Sequence, residues 1–275
     1  MNRRTMLRLA AGGWLSAPSS LLAAPAKGEK DRGEKDRAFD ELLARYLVQG
    51  GDGINRVDYA RWQASAADRA TLDGYLIALA ARQPSGMARN EAFAHWANLY
   101  NAATLKIVID RYPVASIRDI KSDTSFFDVK GFIGPWRTKI ATVEGRQLSL
   151  DDIEHGAMRP TFKDPRVHYA VNCASIGCPN LAPRAWRAET LDKDLDAAAR
   201  AFVNHPRGAQ VRPDGTLRVS SIYKWYKEDF GGTDAGVIDH VRRHAGPDLS
   251  AKLGGGIRGL DDAYDWTLNQ VGGRA

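Results

Sequence analysis

Residues 166–181 read RVHYAVNCASIGCPNL, from Arg166 to Leu181, and hold both cysteines of the chain and one of its six histidines. Val167, Tyr169, Ala170 and Val171 follow one another without a breaker, the composition of a buried strand over Arg166–Asn172. Ala174-Ser175-Ile176-Gly177 then reads as a turn, and Pro179 has no N–H for a sheet ladder. Both thiols, Cys173 and Cys178, are therefore expected where the chain leaves a sheet. Strand ends carry reactive side chains, and they are also where a short disulfide can staple a loop.

The chain on either side reads as α+β, a single domain with N-terminal helices and a mostly antiparallel sheet. Phe39, Leu42, Leu43, Tyr46 and Leu47 recur at helical spacing, and the pattern resumes over Val57–Trp62 and Ala66–Ala81. Gly50-Gly51-Asp52-Gly53 reads as a turn, lacking the strand-before, helix-after context of a phosphate loop. From Ala88 to Tyr112 apolar residues surround the helix, which must be buried on more than one side. Its polar residues His95, Asn98, Asn101 and Thr104 each then need a partner. Phe126–Leu148 reads as two or three strands. Ser149 caps a helix in which Asp152 completes a capping box and Glu154 and His155 occupy the second turn. Further on come a helix over Glu189–Asn204, a hairpin over Gln210–Ser220 turning at Pro213-Asp214-Gly215, an aromatic helix Ile222–Phe230 and a helix Gly236–His244.

At 275 residues, 44% apolar and 26% charged, the chain can bury a full core. Paired Arg3 and Arg4 precede an apolar run to Leu22, and Ala24-Pro25-Ala26 supplies a small-x-small cleavage site. Residues 1–26 therefore read as a twin-arginine signal peptide, implying the twin-arginine export machinery as a partner and a periplasmic or secreted destination. Three arginines lie in that leader, so the net charge falls from +6 to +3 on cleavage. With no basic stripe interleaved with aromatics, nucleic acid is not an expected partner. The chain should not span a membrane after cleavage. Residues 27–37, carrying GEKDR twice, read as a disordered charged linker, and 38–275 as the domain.

Several separated motifs together resemble domain-of-unknown-function family 547. They are Trp96-Ala97-Asn98-Leu99-Tyr100-Asn101-Ala102, Ser149 to His155, Arg166-Val167-His168 through Cys173 and Cys178-Pro179, and Trp225 to Gly231, with Tyr264-Asp265-Trp266 closing the chain. The resemblance spans most of residues 90–230 and implies fold boundaries rather than an activity.

Chemistry must then be read from the residues. A thiolate is the nucleophilic form of cysteine, an imidazole can generate it, and a carboxylate or amide can orient that imidazole. Cys173 as nucleophile, His155 as base and Glu154, Asp152 or Asn98 as orienter would make a thiol-dependent hydrolase or acyl transferase acting on a small-molecule or peptide substrate. His168, five residues from Cys173 in a strand, would face away. Three other readings compete. The first is a Cys173–Cys178 disulfide in a non-enzymatic binding or assembly module with aromatic contacts at Tyr223–Phe230. The second is a redox pair in which Cys178 resolves an oxidised Cys173. The third is zinc held by Cys173, Cys178, His155 and His168, although the cysteine spacing is not that of a zinc knuckle.

Overall fold

A computed structural model describes residues 27–121 and 134–272, the side chains from 33 onward. The leader at 1–26 lies outside the described residues, as does Phe126 to Ile133 of the expected strand region. Helix α1 spans Lys27–Tyr46, so the GEKDR repeat continues the first domain helix rather than forming an unstructured tether. Asp36 on that repeat accepts from the Tyr75 hydroxyl at 3.1 Å and faces Arg82.

Strands β1 (Leu47–Gln49) and β2 (Asn55–Val57) pair antiparallel across the glycine-rich turn. The helical pattern over Val57–Trp62 is therefore shorter than expected. Helix α2 is Tyr59–Ala64, capped by the Asp58 side chain, and α3 is Ala66–Ala80, capped by Ser65. Helix α4, Arg89–Arg111, is buried on several sides as its composition requires. The hairpin of β3 (Ala141–Val143) and β4 (Arg146–Leu148) turns through Glu144 and Gly145, both at positive φ.

The capping box forms: the Ser149 N–H donates to Asp152 at 2.8 Å and the Asp152 N–H to Ser149 Oγ at 3.2 Å. The helical run it opens is π-helical over Asp152–Met158 before α5, Arg159–Phe162. After helix α6 (Val167–Ala170) come α7 (Leu191–Val203), β5 (Ala209–Val211), β6 (Thr216–Ser220), α8 (Ser221–Trp225), α9 (Asp234–His244), α10 (Pro247–Gly254) and β7 (Gly259–Ala263). The α+β class holds, with one difference in the sheet: β6 pairs antiparallel with β5 but parallel with β7.

The central stretch is not a strand. Val167–Ala170 is a single helical turn, and only Val171 is extended after it. Its apolar run is continuous because it is buried from two directions, a condition that periodicity cannot separate from a buried strand. Val167, Ala170, Val171 and Ala174 pack with the core around α1–α4. Tyr169 packs with a second cluster formed by Phe202, Leu217, Tyr223, Phe230 and Val237. The segment is thus the seam between the two.

Side chains of α4 take the place of a neighbouring strand there. Asn101 donates to the Ala170 carbonyl and accepts from the Asn172 N–H, both at 2.8 Å. One turn earlier, Asn98 donates to the Trp186 carbonyl at 2.9 Å and accepts from its N–H at 2.8 Å. Each amide matches a peptide edge donor for acceptor, which satisfies backbone groups buried away from water. Asn98→Ala orphans both Trp186 groups, each at about 1–3 kcal/mol. We expect urea unfolding to show a loss of about 2–4 kcal/mol, whereas a loss below about 0.5 kcal/mol would contradict the clamp.

Candidate functional site

The two cysteines lie on a loop that is pinned along its length. The Asn172 side chain donates to the Pro179 carbonyl at 2.7 Å and accepts from the Ala174 N–H at 2.8 Å, closing the loop from inside. Ala174 is held at φ +60, a left-handed conformation that a residue with a Cβ seldom adopts. The C-terminal segment then lies across the loop. The Ile176 N–H donates to the Thr267 carbonyl and that of Gly177 to Asp265, both at 2.8 Å, and the Asn269 N–H donates to Ala174 at 3.1 Å. A Cβ on residue 177 would come within 2.8 Å of the Asp265 nitrogen, so glycine is what lets this segment approach.

That approach brings Tyr264 onto the sulfurs. Both cysteines are free thiols in mutual hydrogen-bond contact, Cys178 buried and Cys173 half-buried. Cys178 Sγ accepts from the Cys173 N–H and from the Tyr264 hydroxyl, each at 3.1 Å. The same hydroxyl lies 3.1 Å from Cys173 Sγ and 2.8 Å from Ser175 Oγ. Its single proton serves one sulfur, leaving its oxygen to accept from Ser175.

The pair therefore ionises unevenly. Burial alone would raise the Cys178 thiol, but the Cys173 thiol, the Tyr264 hydroxyl and the Cys173 N–H outweigh it and bring Cys178 to about 7. Cys173 is pushed well up, first because its proton is committed to the Cys178 sulfur and then by burial. The first proton lost from the pair leaves its negative charge on the inner sulfur.

Beside the thiols is a buried charge network. His168, with its side chain 2% exposed, places Nε2 2.7 Å from Asp229 and Nδ1 3.6 Å from Glu154. Arg159 Nε meets the same Asp229 oxygen at 2.6 Å. Tyr226 stacks on the His168 imidazole at 4.4 Å, with the Arg159 guanidinium over its own ring at 4.8 Å. The Tyr226 hydroxyl is within electrostatic reach of both Glu154 and Cys173, and its ionisation is pushed upward, first by burial and then by the Glu154 charge. The Tyr100 hydroxyl hydrogen-bonds Glu154 and also lies within electrostatic reach of both sulfurs.

The residues singled out from sequence fall into two groups. Cys173 and Cys178 come together, while Glu154 lies by His168 and His155 by the Tyr226 ring. His155 is exposed, approaching Asp151 at 3.9 Å, Arg159 at 3.3 Å and the Tyr226 ring at 5.6 Å. Among the described contacts no imidazole hydrogen-bonds either sulfur. Asn98 is occupied by the Trp186 peptide and orients no histidine. His168, expected to face away from the thiols in a strand, instead joins the carboxylates from a helical turn.

Nor do the four residues read as zinc ligands converge, since both His168 nitrogens face carboxylates. Among the described residues no group of three or more His, Cys, Asp or Glu is arranged to hold a metal. Tyr223 and Phe230 are core, but Trp225 is 44% exposed and packs at 4.8 Å against Tyr264, which packs at 4.6 Å against Trp266. Sequence reasoning gave no role to Tyr264, Ser175 or Asp229, although Tyr264 and Asp229 stand inside motifs already noted. A cavity of about 240 Å³ lies elsewhere, beside Lys106, Asp110, Lys121 and Lys139. None of the thiol-site residues lines it.

The network has a defined pH window. Burial alone would lower His168, but Asp229 and Glu154 raise it above its ordinary value. That stabilisation is complete below about pH 6.5, the unfolded imidazole value, and is lost as pH rises through the raised value. Burial alone would raise Glu154 and Asp229, but His168 first, with Tyr100 and Arg159 respectively, holds them below the carboxylate range. Their contribution is present above about pH 4 and is lost as pH falls through the depressed values. In Asp229→Asn the His168 imidazole should titrate about one unit lower or more, read by NMR. An unchanged titration would refute the ion triad.

Among the described residues no helix is long and apolar enough to cross a membrane. Comparison with the curated proteins and with the solved structures matched nothing. A family model does match, over residues 84–203, and its description is "Protein of unknown function, DUF547". The matched region contains α4, the π-helical turn with Glu154 and His155, and the whole cysteine loop. It ends before the Trp225–Gly231 and Tyr264–Trp266 motifs that complete the site. That match agrees with the resemblance drawn from the motifs and covers residues 84–203, less than half of the chain.

Proposed function

We propose that Cys173 and Cys178 form a thiol–disulfide exchange centre, carried by a domain that the leader at 1–26 exports by the twin-arginine route. The observation that carries this reading is the division of labour between the sulfurs. The inner one is favoured as thiolate by hydrogen bonds, and the outer one is half-exposed to a reactant.

In thiol–disulfide exchange a low leaving-group pKa speeds departure. A substrate thiolate attacking Cys173 Sγ of the bridged pair forms a substrate–Cys173 bond. The Cys173–Cys178 bond breaks, and its electron pair leaves on Cys178. A second substrate thiol, losing its proton, attacks the substrate sulfur of this mixed disulfide and expels Cys173, which takes up a proton. Two electrons pass from a peptide or small-molecule dithiol to the pair, and a second disulfide compound removes them to restore the bridge. Stabilising the Cys178 thiolate favours the reduced protein and makes the bridged form an oxidant.

This reading fits the sulfur contacts better than a hydrolase or acyl transferase built on Cys173 and His155, because His155 bonds elsewhere and the outer thiol is the harder one to ionise. Thiol alkylation separates the two. Reduced protein incubated with oxidised glutathione should lose both reactive thiols and regain them with dithiothreitol. Cys178→Ser should instead accumulate a glutathione adduct on Cys173, seen by mass spectrometry. Failure of both reactions in folded protein would sink the exchange centre. A loss of Cys173 alkylation in His155→Ala, with Cys178 unaffected, would point to the hydrolase reading. Tyr264→Phe should raise the first thiol pKa by about one unit, the size of one hydrogen bond to a charged group.

A further inference from the structure

Arg207 is a half-buried cation whose role neither core nor surface explains. Its guanidinium donates to the Ile176 carbonyl at 2.7 Å and to Asn180 Oδ1 at 2.6 Å, gripping the loop two residues before Cys178 and two after it. The remaining Nε is buried without a hydrogen-bond partner, and the ring of Phe202 covers the guanidinium at 5.6 Å. Among the described residues no carboxylate pairs with Arg207. The acid in its neighbourhood, Asp52, is already bound twice by Arg56, at 2.8 Å and 2.6 Å. Taking a guanidinium out of water without an anion is costly, and the anion that this position offers is a sulfur.

We propose that Arg207 is the counter-ion of the Cys178 thiolate and sets how strongly oxidising the Cys173–Cys178 pair is, an inference that rests on the exchange reading above. Cys178 is faced by Cys173 and Ser175 on its own loop, by Tyr264 from the C-terminal segment, and by Tyr59 and Tyr100 from α2 and α4. All of these stay neutral at neutral pH, so Arg207 is the positive charge of the set. Burial presses Arg207 down to about 10, and the Cys178 sulfur is the foremost charge opposing that fall. Arg207 acts on the sulfurs through its charge and its grip on the loop, without contacting them, which makes it a positioning residue.

The test compares Arg207→Gln, which keeps hydrogen-bonding capacity without charge, with Arg207→Lys, which keeps charge in another shape. Thiolate absorbance of the reduced full chain at 240 nm is followed against pH, and the bridging equilibrium is measured in glutathione buffers. Arg207→Gln should raise the first thiol pKa by about one unit and, at a pH above both pKa values, make the bridged form about tenfold harder to reduce, or about 30 mV more negative. Arg207→Lys should stay close to the parent in both. An unchanged thiol pKa in Arg207→Gln with native circular dichroism overturns the proposal, as do equal shifts in both variants, which would assign the effect to loop geometry. If Arg207→Gln does not fold, Arg207→Lys decides alone: a parent-like pKa supports the charge, and a shift of a unit or more refutes it. The absorbance arm needs no exchange partner. A shifted pKa in a pair that never bridges with glutathione would retain the counter-ion while discarding the exchange reading.

Discussion

The site depends on a carboxamide meeting a peptide edge. Asn101 of α4 binds the Ala170 carbonyl and the Asn172 N–H, and Asn172 in turn closes the cysteine loop onto Pro179 and Ala174. Neither amide bears charge, so both can sit among apolar neighbours at modest cost provided that every donor and acceptor is matched. The Asn269 side chain extends the chain of contacts, meeting Asn172 at 3.4 Å and accepting from the Tyr59 hydroxyl at 2.8 Å. A helix, a loop and the C-terminal segment, far apart in sequence, are thereby fixed to one another just below the sulfurs.

Two electrostatic devices are built on that frame, and they differ in kind. The His168–Asp229–Arg159–Glu154 network is closed: its positive and negative groups are matched, and the aromatic faces of Tyr226 and Phe230 shield it. Such a matched set costs desolvation and returns geometry, fixing Tyr226 against the thiol side of the domain. The thiol pair is open by comparison. It has more donors than acceptors around the inner sulfur, an imbalance that one negative charge would correct. The π-helical turn under Glu154 is consistent with this arrangement, since such insertions shift a side chain relative to regular α-helical spacing and recur at functional positions.

The parts of the structure legible from sequence were those set by local chemistry. The all-round apolar α4, the Ser149 capping box, the Pro213-Asp214-Gly215 turn and the helix over α7 each follow from residues close together in the chain. The segment Arg166–Asn172 was misread because its burial comes from two cores at once, and its backbone partners are side chains of α4 instead of a strand. The role of Asn98 was hidden for the same reason, as its partner Trp186 is remote in sequence. Cys173 and Cys178 were legible as a pair, and the hairpin β5–β6 as local pairing. Tyr264 was invisible as a sulfur ligand because nothing within the C-terminal segment reveals that Gly177 leaves room for it, and parallel pairing of β7 with β6 depends on the same remote docking.

That docking makes the thiol site a composite of two stretches 86 residues apart in sequence. A polypeptide emerging from synthesis carries both sulfurs long before it carries the phenol that acidifies one of them. Until that segment seats, the inner sulfur has its neighbour's thiol and N–H as donors but lacks the phenol. Docking of residues 264–269 is in this way what completes the donor set around Cys178.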